Sequence, residues 1–437
     1  MNVSVIGLGK LGACAAACFA YRGFRTLGVD INPAFVDAIN AGRAPVYEPR
    51  LQELISASHE RLSATMNYAD AVRESDVTFL IVPTPSREDG HFSDHLLRDA
   101  LTQLARAFGK QRKPYHLFVI TSTVSPGTTE ENLIPLIEAM SGKKLSIDFG
   151  VCYTPEFVAL GSVINDSLNP DMVLIGESDR RAGDGVEHIY AQVCENKPYI
   201  ARMSIISAEV MKLSLNSYVT MKISFANTLA SLCERIPGAD VDAITNALGA
   251  DKRISPYYLK GGLSFGGPCF PRDNRAFAAF AGKYGAQSLL ARATETVNDL
   301  QIDRLVSRVL VYAKAKESVS ILGLSYKPNT PVVEESPAIC LIRELLKKDI
   351  NIIVYDPLGM ANCRAIYRDK LVYAASVKAC ISQAPLCVIT TPWEGFKEIN
   401  EGFVEYNPTT IIDCWRILDC RNFKERIRYI PLGRFSS

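Results

Sequence analysis

The stretch "VSVIGLGKLGACAAACFAYRGFRTLGVD" (Val3–Asp30) decides the fold. It opens as an apolar strand that runs into a glycine turn, and "LGACAAACFAYRG" follows with the composition of a helix. Gly7, Gly9 and Gly12 stand in the GxGxxG pattern at that junction, and Asp30 closes the next apolar run, "TLGVD" (26–30). The glycines let the backbone approach a pyrophosphate at the helix N-terminus, and the terminal acid bonds adenosine ribose hydroxyls. Asp30, followed by Ile31 and Asn32, would repel a 2′-phosphate, so the pattern predicts NAD rather than NADP. The bland alternative is a tight turn that packs helix on strand without a ligand. The full strand–turn–helix–strand–acid order favours the ligand.

Working outward, "DVTFLIVPTP" (76–85), "LFVITSTV" (117–124), "DFGVCYTPEF" (148–157) and "DMVLIG" (171–176) read as further strands. Near-continuous apolar strands separated by helices predict a parallel sheet covered on both faces. From Ile205 to Glu234 the chain has no proline or glycine and carries apolar residues at helical spacing. That predicts one helix of about 45 Å at 1.5 Å per residue. More helix is expected to about residue 300, interrupted by "GGLSFGGPCFPRDNRAF" (261–277). Strand–helix alternation then returns with "SVSILGLSYKP" (318–328), "INIIVYDP" (350–357), "APLCVITTPW" (384–393) and "TTIIDCW" (409–415). "VSILGLS" echoes the opening "VSVIGLG" and supports a second doubly wound domain. The expected architecture is α/β, with two Rossmann-like doubly wound parallel-sheet domains joined by a central helical domain with a long helix. The expected boundaries are 1–202, 203–300 and 301–437.

Composition narrows the function. The chain has 437 residues, too many for one ordinary core, and a formal net charge of +1. Nothing in that balance points to a nucleic-acid or membrane partner. The N-terminus enters a strand directly, without a charged leader or cleavage site, so a cytoplasmic location is expected. The twelve cysteines are scattered without a CxxC pair, which suits small buried hydrophobes better than disulfides or zinc.

Two clusters carry chemistry. Glu209, Lys212 and Asn216 stand at offsets of three and four, on one face of the long helix. Such spacing usually marks a solvated helix surface, but the flanks here are apolar. A partly buried lysine stabilises a developing alkoxide, with the asparagine amide as a second donor. In the glycine loop, Arg272 and Asp273 closely follow Cys269. The cation favours a thiolate, the glycines allow close approach, and Asp273 would act as a base or orient water. Taken alone, the loop leaves Cys269 evenly placed between chemistry and packing. Tyr218 and Lys222 form a YxxxK spacing seen in short-chain dehydrogenases, but the glycine pattern differs and they read as helix residues.

With these pieces in hand, the chain resembles the UDP-glucose/GDP-mannose dehydrogenase family nearly end to end. The resemblance is carried by "VIGLGKLG", "PVYEP" (45–49), "VPTP" (82–85), "TSTVSPGT" (121–128), "TPEF" (154–157) and "EVMKLSLN" (209–216). It continues through "FGGPCFPRDNRA" (265–276), "NDLQ" (298–301), "GLSYKPNT" (323–330), "ESPA" (335–338) and "YDP" (355–357). It implies a four-electron oxidation of a nucleotide-sugar C6 alcohol to a carboxylate, with two NAD reduced per turn and UDP-glucose as the leading substrate. By resemblance Lys212 and Asn216 hold the sugar oxygen, and Cys269 captures the aldehyde as a thiohemiacetal that becomes a thioester. Asp273, Glu156 or Thr123 then helps water release the acid. The resemblance further implies NAD contacts from Leu11, Thr84, Thr123 and Arg272, beside Gly7, Gly9, Gly12 and Asp30. It implies substrate contacts from Glu156, Lys212, Asn216, Tyr258, Leu259, Gly262, Gly266 and Lys327. Arg253 matches an arginine that reaches the neighbouring subunit's site, and the long helix would build a homodimer core.

Several positions depart from the family pattern. Leu160 replaces a glutamate, Phe35 a lysine, Arg272 a lysine and Pro268 a serine, and Glu334 stands where an arginine usually contacts the cofactor. The same chemistry on a UDP-N-acetylhexosamine or GDP-mannose is one alternative. A β-hydroxyacid dehydrogenase is another, which predicts no nucleophilic cysteine and no second α/β domain. An NAD-binding regulatory protein without turnover is a third.

Overall fold

The structure is a computed structural model, and it describes residues 1–400, 408–419, 421, 423 and 427–435. Cys420 lies outside the described residues. The chain forms two compact units, Met1–Ser214 and Leu215–Ser437, and the division falls inside the long helix.

The first unit is built on an eight-stranded sheet. Its strands are β1 (Asn2–Ile6), β2 (Arg25–Val29), β3 (Leu62–Thr65), β4 (Val77–Leu80), β5 (His116–Ile120), β6 (Phe149–Tyr153), β7 (Met172–Glu177) and β8 (Tyr199–Ser204). Their spatial order is β3-β2-β1-β4-β5-β6-β7-β8. The order reverses between β1 and β4, which makes the sheet doubly wound and places a ligand crevice beyond the carboxyl ends of those strands. Alternate side chains feed opposite faces. Val3, Val5, Phe79, Val119 and Cys152 face the helices Lys10–Tyr21 and Arg180–Val193. Leu80, Phe118, Ile120, Val151 and Tyr153 face His95–Gly109 and Ile134–Ser141. One pairing departs from the expected parallel sheet: β6 and β7 run antiparallel. Their connection, residues 154–171, carries the six-residue helix Val163–Leu168. Strands β3 and β8 were not anticipated.

The long helix runs Ile205–Cys233, 29 residues without a break, as its lack of proline and glycine predicts. Val241–Ala250, Phe270–Lys283 and Leu289–Leu310 follow it. Leu289–Leu310 is continuous through residue 300, where the sequence reading placed a domain boundary.

The second unit holds a six-stranded, wholly parallel sheet. It contains β9 (Ser318–Leu322), β10 (Asn351–Tyr355), β11 (Val372–Tyr373), β12 (Leu386–Ile389), β13 (Thr410–Asp413) and β14 (Arg428–Pro431), in the order β11-β10-β9-β12-β13-β14. It too is doubly wound, with the reversal between β9 and β12. The protein therefore has two parallel-sheet α/β domains with helices between them in sequence. Strands β11 and β14 were not expected.

Candidate active site

In the first unit the glycine turn has the shape that its sequence predicts. Gly7 has φ +92°, and a Cβ there would meet the Ile81 carbonyl oxygen at 2.4 Å. A Cβ at Gly12 would lie 1.8 Å from the Gly7 carbonyl oxygen, so the helix Lys10–Tyr21 packs too close for any side chain. Gly9 differs, because a Cβ there would meet nothing within 4 Å. Packing does not require glycine at position 9; a bare backbone open to a ligand does. Asp30 Oδ2 accepts the Leu8 N–H at 2.6 Å and Oδ1 accepts the Asn32 N–H at 2.8 Å, which aims the partly buried carboxylate beside the turn. Leu11 is half-buried on the first core. These residues fit a dinucleotide.

Thr84 and Thr123 are joined, because the Thr84 hydroxyl donates to the Thr123 carbonyl at 2.6 Å. Beyond Thr123 the chain turns through Ser125–Thr128 and starts a helical segment at Thr129. Glu209, fully buried in the long helix, receives the Gly127 N–H on Oε2 at 2.6 Å and the Thr129 N–H on Oε1 at 3.0 Å. Burial pushes its carboxyl up to about 7, against the pull of those donors.

Lys212, three residues further along, is 7% exposed and donates from Nζ to the Glu156 carbonyl at 2.7 Å. Its Nζ also lies 4.6 Å from the Phe157 ring centroid, so the ammonium is held between a carbonyl and an aromatic face. The Glu156 carboxyl takes a long hydrogen bond from the Tyr190 hydroxyl, 3.4 Å to Oε1. Burial pushes that carboxyl up to about 7, with Lys212 and Tyr190 acting in the other direction.

In the second unit Cys269 caps the N-terminus of Phe270–Lys283. Eleven of the cysteines are among the described residues, and of these Cys269 is the exposed one. Most of the others are buried, and burial pushes the thiols of Cys14, Cys18 and Cys152 well up. The inert thiols are therefore separated from the available one by environment. A helix N-terminus also stabilises negative charge. Asp273, in the first turn, is 1% exposed, and its N–H donates to the Cys269 carbonyl at 2.8 Å. Its carboxylate accepts the Asn216 amide on Oδ2 at 2.6 Å and Arg272 Nε on Oδ1 at 3.0 Å. So the structure brings Asn216, Arg272 and Asp273 together one turn from the thiol. Both oxygens of Asp273 thus hold a neighbouring side chain.

The glycine loop is held by its backbone. Asn227 accepts the Gly262 N–H at 2.8 Å and donates to the Leu263 carbonyl at 2.8 Å, while Asn298 accepts the Phe265 N–H at 2.7 Å. Arg304 and Arg416 donate to the carbonyls of Gly262 and Gly261 at 2.8 and 2.6 Å. A Cβ at Gly266 would meet the Glu335 carbonyl oxygen at 2.1 Å, and one at Gly267, where φ is +82°, would meet the Tyr326 ring at 2.6 Å. That packing brings the turn carrying half-buried Lys327 against the loop. Tyr258 adopts φ +60° and sets its ring edge-on to Phe270, the residue after Cys269, while Leu259 is buried. Arg253 stands 86% exposed, paired with Asp251. Lys222 donates to the carbonyls of Ile254 and Ser255 at 3.0 and 3.1 Å, which supports its reading as a structural helix residue. Glu334 is exposed, and its carbonyl accepts the Gly267 N–H at 3.2 Å. Phe35 and Leu160 pack against the first core, so two of the departures have become apolar packing.

Sequence reasoning missed Asn227, Arg304 and Arg416 as anchors of the loop. Asn298 carried a signal, because it lies in the quoted "NDLQ". The other three are a polar residue on a helix and two arginines far along the chain, and nothing local marks their partners.

Comparison with known proteins agrees with this geometry. Residues 1–194 match the NAD binding domain of the UDP-glucose/GDP-mannose dehydrogenase family, 206–300 its central domain and 320–420 its UDP binding domain. A UDP-glucose 6-dehydrogenase of Haloferax volcanii is 34% identical over 96% of this chain and 98% of its own. A GDP-mannose 6-dehydrogenase of Pseudomonas syringae is 34% identical over 82% of this chain and 81% of its own. The structure of a UDP-glucose dehydrogenase from Pyrobaculum islandicum superposes with a TM-score of 0.90 at 32% identity, covering 99% of this chain and 98% of the other. A glycine turn shaped for a dinucleotide, an exposed cysteine at a helix N-terminus and three matched segments in order place this chain in the UDP-glucose/GDP-mannose dehydrogenase family.

Proposed function

We propose that the protein oxidises the C6 alcohol of UDP-glucose to the carboxylate of UDP-glucuronate through a covalent intermediate on Cys269. The observation that carries this reading is the exposed Cys269 at a helix N-terminus, in a chain whose other described thiols are mostly buried. Bound NAD supplies the hydride acceptor for each of the two oxidations. The chain supplies the rest. Lys212, fixed by the Glu156 carbonyl and the Phe157 ring, stabilises the sugar oxygen as its charge develops, with the Asn216 amide as a second donor. Cys269 Sγ forms a bond to the aldehyde carbon to give a thiohemiacetal, which on the second oxidation becomes a thioester. Water then adds to the thioester carbon, the C–S bond breaks, and the sulfur leaves as thiolate. Glu156, whose carboxyl is pushed up to about 7, is suited to take the proton from that water, with Thr123 and Asp273 orienting it.

The substrate-binding role extends to Tyr258, Leu259, Gly262, Gly266 and Lys327, and the cofactor-binding role to Leu11, Thr84, Thr123 and Arg272. The three matched segments fall in turn within 1–202, 203–300 and 301–437, which we take as NAD-binding, central helical and nucleotide-sugar-binding domains. We take the assembly to be a homodimer with the long helix at its core. Tyr218, Phe225 and Leu232 stand seven residues apart and are 58%, 53% and 51% exposed, an apolar stripe suited to a second copy. In that dimer Arg253 would reach the partner's site. Among the described residues no helix is long and apolar enough to cross a membrane, and the buried free thiols suit a reducing, cytoplasmic location.

UDP-glucose is favoured because the UDP-glucose 6-dehydrogenases of Haloferax volcanii and Rickettsia typhi match 96% and 99% of the chain, against 82% for the GDP-mannose enzyme. The test is to incubate the purified protein with NAD and UDP-glucose, a UDP-N-acetylhexosamine or GDP-mannose. Two NADH per UDP-glucose are expected. One NADH per sugar indicates a simple dehydrogenase, and none with any sugar indicates a binding protein without turnover.

A further inference from the structure

The reaction just described has no use for Glu209, yet Glu209 is among the least comfortable residues in the first unit. Its carboxyl is fully buried, and the partners it takes are two backbone N–H groups far back in the chain, those of Gly127 at 2.6 Å and Thr129 at 3.0 Å. A buried carboxyl costs several kcal/mol unless it is well bonded, and serine or asparagine satisfies a single N–H more cheaply. The segment it grips explains the choice. Thr123 leaves β5 with its carbonyl held by Thr84 (2.6 Å), and Ser125 Oγ accepts the Phe92 N–H (3.0 Å). Ser125 also closes a turn with Thr128 (3.0 Å), and Gly127 takes φ +93°. Thr84 and Phe92 lie in the stretch after β4. Glu209 alone, of the anchors described here, ties the turn to the helix that carries Lys212, one turn further on.

We propose that Glu209 is a positioning residue that fixes the Thr123 loop against the Lys212 helix and thereby sets the strength of NAD binding. It rests on the functional reading above. A residue that accepts two N–H groups at once fixes both the position and the tilt of the turn, whereas one bond would leave it free to pivot. Glutamine tests this, because its amide accepts one N–H and opposes the other with its own NH₂.

The experiment compares full-length wild type with Glu209→Gln and Glu209→Asp. The measurements are NADH affinity by fluorescence titration, amide hydrogen exchange over residues 125–129, melting temperature, and KM for NAD and UDP-glucose. Glu209→Gln is expected to weaken NADH binding and raise the KM for NAD about tenfold, as loss of a charged hydrogen bond at a binding loop would. Exchange at 127 and 129 should speed up, and the KM for UDP-glucose should stay within about twofold. Glu209→Asp keeps the charge but shortens the reach, and should fall between. If Glu209→Gln does not fold, Glu209→Asp is judged alone by the same criteria. Wild-type NADH affinity and wild-type exchange in a folded variant would overturn the proposal. So would NAD and UDP-glucose constants that deteriorate together in step with the melting temperature. Failure of the wild type to form two NADH per UDP-glucose overturns the functional reading instead, and leaves the NADH affinity and exchange results to judge Glu209.

Discussion

The two sheets leave their first strands by the same turn. Gly7 donates its N–H to the Val29 carbonyl at 2.7 Å, and Gly323 donates to the Tyr355 carbonyl at 2.8 Å. The next residue donates to an aspartate at the end of the neighbouring strand, Leu8 to Asp30 at 2.6 Å and Leu324 to Asp356 at 2.7 Å. Both glycines have positive φ, +92° and +96°. Beyond that point the two sites diverge. Asp30 has one further backbone partner, Asn32, and stays partly open. Asp356 is 1% exposed and also receives Ser325 N–H and Oγ, Leu358 N–H, Gly359 N–H and Trp393 Nε1. The same topology thus holds one carboxylate with capacity left for a ligand and one consumed by the fold. In the first turn Gly9 and Gly12 lead at once into a helix, whose N-terminus can receive a pyrophosphate. After Gly323 the chain passes through Lys327 and reaches a helix only at Pro337.

The comparison predicts opposite responses to matched substitutions. Asp356→Ala leaves six buried donors without an acceptor and should cost at least about 4 kcal/mol, lowering the melting temperature of the second unit sharply. Asp30→Ala should cost no more than about 1–2 kcal/mol of stability yet weaken NADH binding about tenfold or more. Equal stability losses from the two would break the comparison. Within the first turn, Gly12→Ala has no room and should destabilise the protein by about 3 kcal/mol. Gly9→Ala has room and should leave the melting temperature within a degree or two of wild type while impairing NADH binding; a large melting shift would show that Gly9 is structural.

A pH response should separate the units further. His116 is buried in the first sheet, with Nε2 2.8 Å from Thr78 Oγ1, and burial with nearby Lys113 lowers its pKa to about 3. Folded His116 therefore stays neutral while the unfolded chain binds a proton below about 6.5. Stability contributed by this group is present above that pH and is lost as pH falls towards 3, by about 2 kcal/mol at pH 5. His116→Gln should flatten the slope, and an unchanged acid profile would refute the assignment. The smallest effect concerns the surface. Phe225→Glu is expected to shift the proposed dimer towards monomer in light scattering with little change in secondary structure, and an unchanged mass would remove the apolar stripe from the proposed interface.

The doubly wound sheets, the long helix and the cofactor turn were legible because each rests on local pattern. Glycine spacing, alternating strands and helices, and the absence of helix breakers all act over a few residues. Strands β3, β8, β11 and β14 were not, since "LSAT" and "VY" are too short or too polar to stand out and are placed by their neighbours in the sheet. The antiparallel direction of β7 against β6 is set by how the chain returns to the sheet, which composition does not reveal. Lys212, Asn216, Cys269 and Asp273 were visible as residue types at suggestive spacing. What each holds was not visible: Asp273 joins Asn216 to Arg272, and Glu209 grips a turn far away in the chain. Such partnerships are made by tertiary folding and leave no local trace.

The central claim is that Cys269 carries the substrate through the second oxidation. It is tested most directly by counting NADH and UDP-glucuronate formed from UDP-glucose by wild type and by Cys269→Ala. Wild type should form two NADH and one acid per sugar consumed, and Cys269→Ala should form no acid while still binding NADH. Normal UDP-glucuronate production by Cys269→Ala would contradict the account.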